Sequence, residues 1–165
     1  MSIGGSYTVD VRRMEAFSAV ELYALLKLRV DVFILEQACL YPELDGKDVD
    51  ALHLRLLIAG ETAGYARIWR PGGEAPRIGR VLVAPRYRGH RLGDALMREA
   101  IHTCAVHFPG QSIALSAQSH LERFYRSFGF APTSDEYVED GIPHIDMQRP
   151  ADHPRAVPVT DGLAR

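Results

Sequence analysis

Little in this sequence marks it for export or for a membrane. It has two cysteines in 165 residues, Cys39 and Cys104. The opening "MSIGGSYTVDVRR" lacks the basic and apolar regions of a signal peptide. A reducing, cytoplasmic setting is therefore expected, with both cysteines acting as small apolar residues. Neither cysteine has a neighbour at metal-ligand spacing, so no metal site is expected. No apolar run is long enough to cross a bilayer. Charge of one sign is also missing: the formal net charge is −2. That balance supplies no field for nucleic acid or an anionic membrane. The Walker pattern and the dinucleotide pattern G-x-G-x-x-G are absent, which argues against nucleoside triphosphates and nicotinamide or flavin cofactors.

What is present reads as one domain over 1–149 and an irregular tail over 150–165. Residues 7–11 alternate as a strand. Ser18 precedes the helical stretch "AVELYALLKLRVDVFILEQ", whose spacing puts Arg29, Phe33 and Glu36 on one face. An Arg29–Glu36 ion pair is the plain expectation there. Residues 39–50, "CLYPELDGKDVD", read as a solvated acidic loop, or as a rim attracting a cationic amine. A hairpin of "ALHLRLLIAG" and "ETAGYARIWR" follows, then a strand over 77–84. A helix runs from Gly89 to about Phe108, and a buried strand spans 112–117. "SHLERFYRSFGF" reads as a helix with a Ser119/Glu122 capping box and a Gly129 stop. Two last strands lie near 130–138 and 143–149. The order predicts a mixed α/β sheet with helices on both faces.

The most informative stretch is "RVLVAPRYRGHRLGDALM", residues 80–97. Three arginines (Arg86, Arg88, Arg91) and two glycines (Gly89, Gly93) sit where a strand turns into a helix. A helix N-terminus repels cations and attracts anions. The arginines read as a solvated helix start or, favoured by the dipole, as a site for an anion, where a ligand with several phosphates would use all three.

The same stretch resembles the acetyl-coenzyme A loop of the GNAT N-acetyltransferase superfamily, [QR]-x-x-G-x-[GA]. Arg88 fills the first position, Gly93 the last, and Arg91 replaces the middle glycine. "IALSAQSHLERFYRSFGF" resembles the superfamily's later strand–helix unit. "LRVDVFILEQ", "LDGKDVDALHL" and "EDGIPHIDM" add similarity to its ElaA-like subgroup. The implied fold is a mostly antiparallel mixed sheet, splayed at the cofactor strand. The implied activity is direct transfer of an acetyl group from acetyl-CoA to a primary amine, on a small molecule or a peptide. Backbone from Arg88 through Gly89, His90, Arg91, Leu92 and Gly93 to Asp94 would cradle the pyrophosphate, with Arg86 or Arg91 reaching the 3′-phosphate. Leu82 and Val83 would pair with the pantetheine arm and offer an oxyanion donor. Gln118 stands where many relatives have an asparagine. Tyr125 matches the position of the general acid, although it also lies on an apolar stripe with Leu121, Phe124 and Phe128.

The base is open among Glu36, His53 and His144, with Asp146 placed to orient His144. Arg55, Arg67, Arg70 and Arg77 would instead favour an acidic acceptor. A homodimer is compatible with the sequence. Two rival readings are a non-catalytic acyl-CoA sensor and an acyl-homoserine-lactone synthase, to which "LRVDVFILEQ" is also similar.

Overall fold

Alternating side chains along β2 (Leu52–Ile58) and β3 (Glu61–Trp69) build the centre of a sheet covered on both faces. The structure, a computed structural model, describes residues 6–152. The tail expected beyond Asp152 lies outside the described residues. β1 (Thr8–Arg13) pairs antiparallel with β2, and β4 (Arg77–Val83) antiparallel with β3. Helix α2 (Leu92–His107) carries the chain across to β5 (Ile113–Gln118), which lies parallel to β4. The short helix α3 (Glu122–Arg126) follows, then β6 (Ala131–Pro132), β7 (Tyr137–Glu139) and β8 (Ile142–Arg149). The spatial order is β1-β2-β3-β4-β5-β8-β6, with β7 also on β8.

α2 lies on one face of the sheet. Its Leu96, Met97, Ala100 and Cys104 pack on Leu54, Leu56, Ala66 and Ile68. The other face carries α1 (Ala19–Val30), where Leu25, with Val32 of the turn that follows, meets Tyr65 and Leu82. α1 starts as the sequence indicates. Ser18 Oγ accepts from the Glu21 amide at 3.1 Å, and Glu21 accepts from the Ser18 amide at 2.9 Å.

Three local expectations change. α1 continues into a π-helical turn over Asp31–Glu36. The extra residue per turn rotates Glu36 away from Arg29, so the expected Arg29–Glu36 pair does not form. The strand read over 130–138 is two short pieces, because Thr133–Glu136 lies between β6 and β7. The Ser119/Glu122 capping box is absent: Ser119–Leu121 forms a 3-10 turn without a side-chain cap. The Ser119 hydroxyl is buried with no partner among the described residues. Gly129 does end α3, in the left-handed conformation at φ +89°.

Candidate active site

The site begins where the sheet fails to close. β4 and β5 pair only at Arg77 and Ala114, then diverge. β4 also carries a bulge. Leu82 faces Tyr65 and Gly79 faces Arg67, leaving Arg80 and Val81 against Ala66, with Arg80 at φ +52°. Between the diverging strands opens a cleft of about 450 Å³. Its floor includes Val81, Leu115 and Gln118, and α1's turn contributes Phe33. The loop at 39–47 and the β7–β8 hairpin close its far end.

Beyond the end of β4, the 88–94 loop enters α2. Gly89 adopts φ +82° and Arg91 adopts φ +57° as the N-cap. Both are left-handed, a conformation that costs a non-glycine residue about 1–2 kcal/mol. Arg91 thus holds a backbone shape that glycine adopts freely. A Cβ on Gly93 would lie at ordinary contact distance, 3.7 Å, from the Phe124 ring, so α2 meets α3 here without needing a glycine. His90 is exposed, Leu92 is buried in the α2 core, and Asp94 holds Arg91 at 3.1 Å. Arg88 forms a bidentate pair with Glu36 at 2.6 and 3.0 Å, and its Nε donates to the Val83 carbonyl at 3.1 Å. Arg86 pairs with Glu61 on β3.

Tyr125 reaches the cleft from α3. Its ring is 8% exposed, and its hydroxyl has no protein partner among the described residues. Burial pushes the phenol up to about 12, so it carries its proton at neutral pH. Gln118 donates weakly to Gln37 at 3.4 Å, linking β5 to the end of α1's turn.

The three candidate bases separate clearly. Glu36 is committed to Arg88, whose hydrogen bonds hold its carboxyl below the usual range. His53 is completely buried. Its Nε2 donates to the Asp48 carbonyl at 2.9 Å and its Nδ1 accepts from Tyr65 at 2.8 Å, so it is sealed from any substrate. His144 lines the cleft, with Nδ1 donating to the Ile142 carbonyl at 2.7 Å. Its Nε2 has no partner among the described residues. Asp146 does not orient it directly, since that carboxylate is taken by Ser116 and Tyr137, each at 2.7 Å.

The loop read as solvated proves to be a buried charge network. Arg29, wholly buried, binds Glu43 at 2.7 Å and Asp48 at 2.6 Å. Arg67 binds Asp45 at 2.8 Å and Asp48 at 3.0 Å, while Arg80 reaches Glu43 and Asp45. Three arginines face three carboxylates. Burial alone would raise Asp45, yet the Arg67 hydrogen bonds bring it down to about 2. Arg55 is bound to Asp10 at 2.7 Å. Arg55 and Arg67 are therefore occupied and do not form a site for an acidic acceptor. One signal for the network lies in the sequence: an arginine on the leucine face of α1 has to be matched by buried carboxylates.

A glycine- and arginine-bearing strand-to-helix loop, a splayed parallel pair and a tyrosine lining the split together mark an acyltransferase-like fold. The comparisons agree. Residues 23–150 match the model of the acetyltransferase (GNAT) domain, and the chain belongs to that family. The ElaA protein of Escherichia coli K12 is 45% identical over 136 residues, covering 80% of this chain and 89% of ElaA. The crystal structure of E. coli ElaA superposes with a TM-score of 0.82 at 40% identity, over 87% of this chain and 99% of that one. An acyl-CoA N-acyltransferase from Pseudomonas aeruginosa gives 0.83 at 37%, with the same coverage. No helix among the described residues is long and apolar enough to cross a membrane.

Proposed function

We propose that the protein transfers an acetyl group from acetyl-CoA directly to a primary amine. The observation that carries this is the splay. From Ile78 to Val83, β4 has no strand on its β5 side among the described residues, and Tyr125 lines the cleft that opens along this edge. An extended pantetheine arm fits that edge as an added strand. The Ser119 hydroxyl, buried and without a partner among the described residues, stands just beyond the end of β5, beside cleft-lining Gln118.

Within this reading the loop amides from Arg88 to Asp94 hold the pyrophosphate. A backbone N–H at Leu82 or Val83 stabilises the oxyanion. His144 Nε2 takes one proton from the ammonium, and the free amine attacks the thioester carbonyl. The tetrahedral adduct collapses by breaking the C–S bond. The sulfur leaves with the proton of Tyr125, and the nitrogen's second proton passes through water to the Tyr125 phenolate, so a neutral amide and a neutral thiol are released. Glu36 serves as Arg88's counter-ion rather than as the base.

The test is thermal unfolding with acetyl-CoA, dephospho-CoA or NADH, followed by thiol release with putrescine, phenethylamine or triglycine as acceptor. Ligand at a hundred times its dissociation constant stabilises by about 2.7 kcal/mol, a shift of a few degrees. A shift with acetyl-CoA, smaller with dephospho-CoA and absent with NADH, is expected. No shift with acetyl-CoA overturns the reading. Binding without acyl transfer to any amine would favour the sensor reading instead. Tyr125→Phe is expected to lower kcat by about 10²–10⁴-fold with little change in acetyl-CoA affinity.

A further inference from the structure

The mechanism leaves Tyr137, Asp146, Ser116 and Arg77 without a role, although they surround the proposed base. Their placement follows from strand register. β8 runs between β5 and β7, and Gln118, His144 and Tyr137 lie directly opposite one another in a single row. Ser116 and Asp146 form the next row on the same face. Side chains so placed pack across the strands. The Tyr137 and His144 rings stack with centroids 6.1 Å apart and planes 22° apart. The Tyr137 hydroxyl donates to Asp146 Oδ1 at 2.7 Å, Ser116 Oγ donates to the same oxygen at 2.7 Å, and Arg77 donates to Ser116 Oγ at 2.8 Å.

We propose that Tyr137, anchored by Asp146, is a positioning residue that holds the His144 ring with Nδ1 protonated and Nε2 facing the acceptor. The proposal rests on the acyl-transfer reading above. Which imidazole nitrogen carries the proton is set by the partner of the other. Here the Ile142 carbonyl takes the Nδ1 proton, and the stacked phenol keeps the ring in the plane where that bond forms. The ammonium gives one proton to Nε2, leaving an imidazolium whose Nδ1–H stays on Ile142. Asp146 supplies a negative charge one tyrosine away. Burial raises that carboxyl, but the hydrogen bonds from Tyr137 and Ser116 outweigh it and keep it below the usual range. Burial and Asp146 raise the Tyr137 phenol, so it stays a donor.

The test reads the tautomer directly. Long-range proton–nitrogen correlations of the ¹⁵N-labelled full chain, with His144 assigned by its loss in His144→Gln, are expected to show the Nδ1–H form near neutral pH. Tyr137→Leu is expected to shift His144 toward the Nε2–H form. It should also lower kcat at least tenfold, using the acceptor of the three amines that turns over fastest, with KM for acetyl-CoA unchanged. Tyr137→Phe keeps the stacked ring and is expected to recover most of both readouts. Asp146→Asn, which makes no hydrogen bond to the imidazole, should lower kcat by a smaller factor. An Nε2–H wild type, or a Tyr137→Leu variant with wild-type tautomer and kcat, overturns the proposal. The spectra need neither donor nor acceptor, so they separate its failure from that of the acyl-transfer reading. The Nδ1–H signature in a protein that transfers no acyl group would overturn the catalytic use of His144 while leaving its geometry intact.

Discussion

The molecule carries two arginine clusters that look alike in sequence and differ in kind. Arg29, Arg67 and Arg80 lie inside, each bound to two of the three carboxylates Glu43, Asp45 and Asp48. Arg86, Arg88 and Arg91 lie outside, each bound to a single exposed or partly exposed carboxylate. Water weakens the outer pairs to about 0–1 kcal/mol each, so a phosphate can displace the carboxylate. Arg29, Glu43 and Asp48 are shut off from solvent, with Arg80 and Asp45 at the partly exposed cleft edge, and removing one buried partner strands the others. The inner cluster is thus architecture, fastening the loop that closes the cleft. The outer cluster is exchangeable, as the proposed phosphate site requires.

The sharpest break of this contrast is Arg29→Ala. It leaves Glu43 and Asp48 buried beside a lost cation, a loss on the order of 3–5 kcal/mol. For a chain of this size the melting midpoint should fall by roughly 10 °C, measured by calorimetry. A fall of only a degree or two would show that the inner pairs behave like surface ones.

The next largest effect is acidic. Asp45 sits at about 2 in the folded protein, against about 3.9 in an unfolded chain. A lowered carboxyl stabilises fully above its unfolded value, and that stability is lost as pH falls from about 4 to about 2. Asp45→Asn should cost about 1.5–3 kcal/mol at neutral pH. It should also flatten the decline between pH 4 and 2, as followed by urea unfolding. An unchanged slope would remove Asp45 from the acid response.

How legible each cluster was in sequence follows from its physics. The outer arginines stand at a strand-to-helix turn with glycines beside them, a local pattern that sequence spacing carries. The helices on both faces, the Ser18 cap and the placement of Tyr125 on an apolar stripe were legible for the same reason. The inner cluster joins α1, β3, β4 and a loop, and only the fold brings Arg29 to Asp48 and Arg67 to Asp45. Read locally, "YPELDGKDVD" is polar and looks solvated. The π-helical turn was equally hidden: an expectation of 3.6 residues per turn sends Glu36 to Arg29, whereas one wider turn delivers it to Arg88. His144 was visible as an alternating strand residue. Its stacking on Tyr137 depends on the hairpin register, which the split of 130–138 into two pieces obscured.

Arg88→Ala sharpens the outer side. Loss of the Glu36 pair should change stability by under about 1 kcal/mol. Acetyl-CoA affinity should drop about tenfold, the size of one charge-assisted hydrogen bond. Raising the salt concentration should weaken acetyl-CoA binding in the wild type and do so less in the variant, because the exposed arginines are screened. Titration calorimetry at two ionic strengths reads both. Affinity untouched by the substitution would confine Arg88's part in binding to its backbone.

The smallest effect separates backbone from side chain at one position. Arg91 holds a left-handed φ of +57° that glycine adopts freely. Arg91→Gly relieves about 1–2 kcal/mol of strain. It also gives the unfolded chain about 0.4–1 kcal/mol more entropy to lose. The difference should raise the melting midpoint by a degree or two. If the guanidinium reaches the 3′-phosphate, affinity for acetyl-CoA falls while affinity for dephospho-CoA, which lacks that phosphate, stays put. Equal losses with both ligands would place Arg91 on the pyrophosphate. No loss with either would mean that the strained arginine preserves only the shape of the loop, and that its charge is balanced by Asp94 alone.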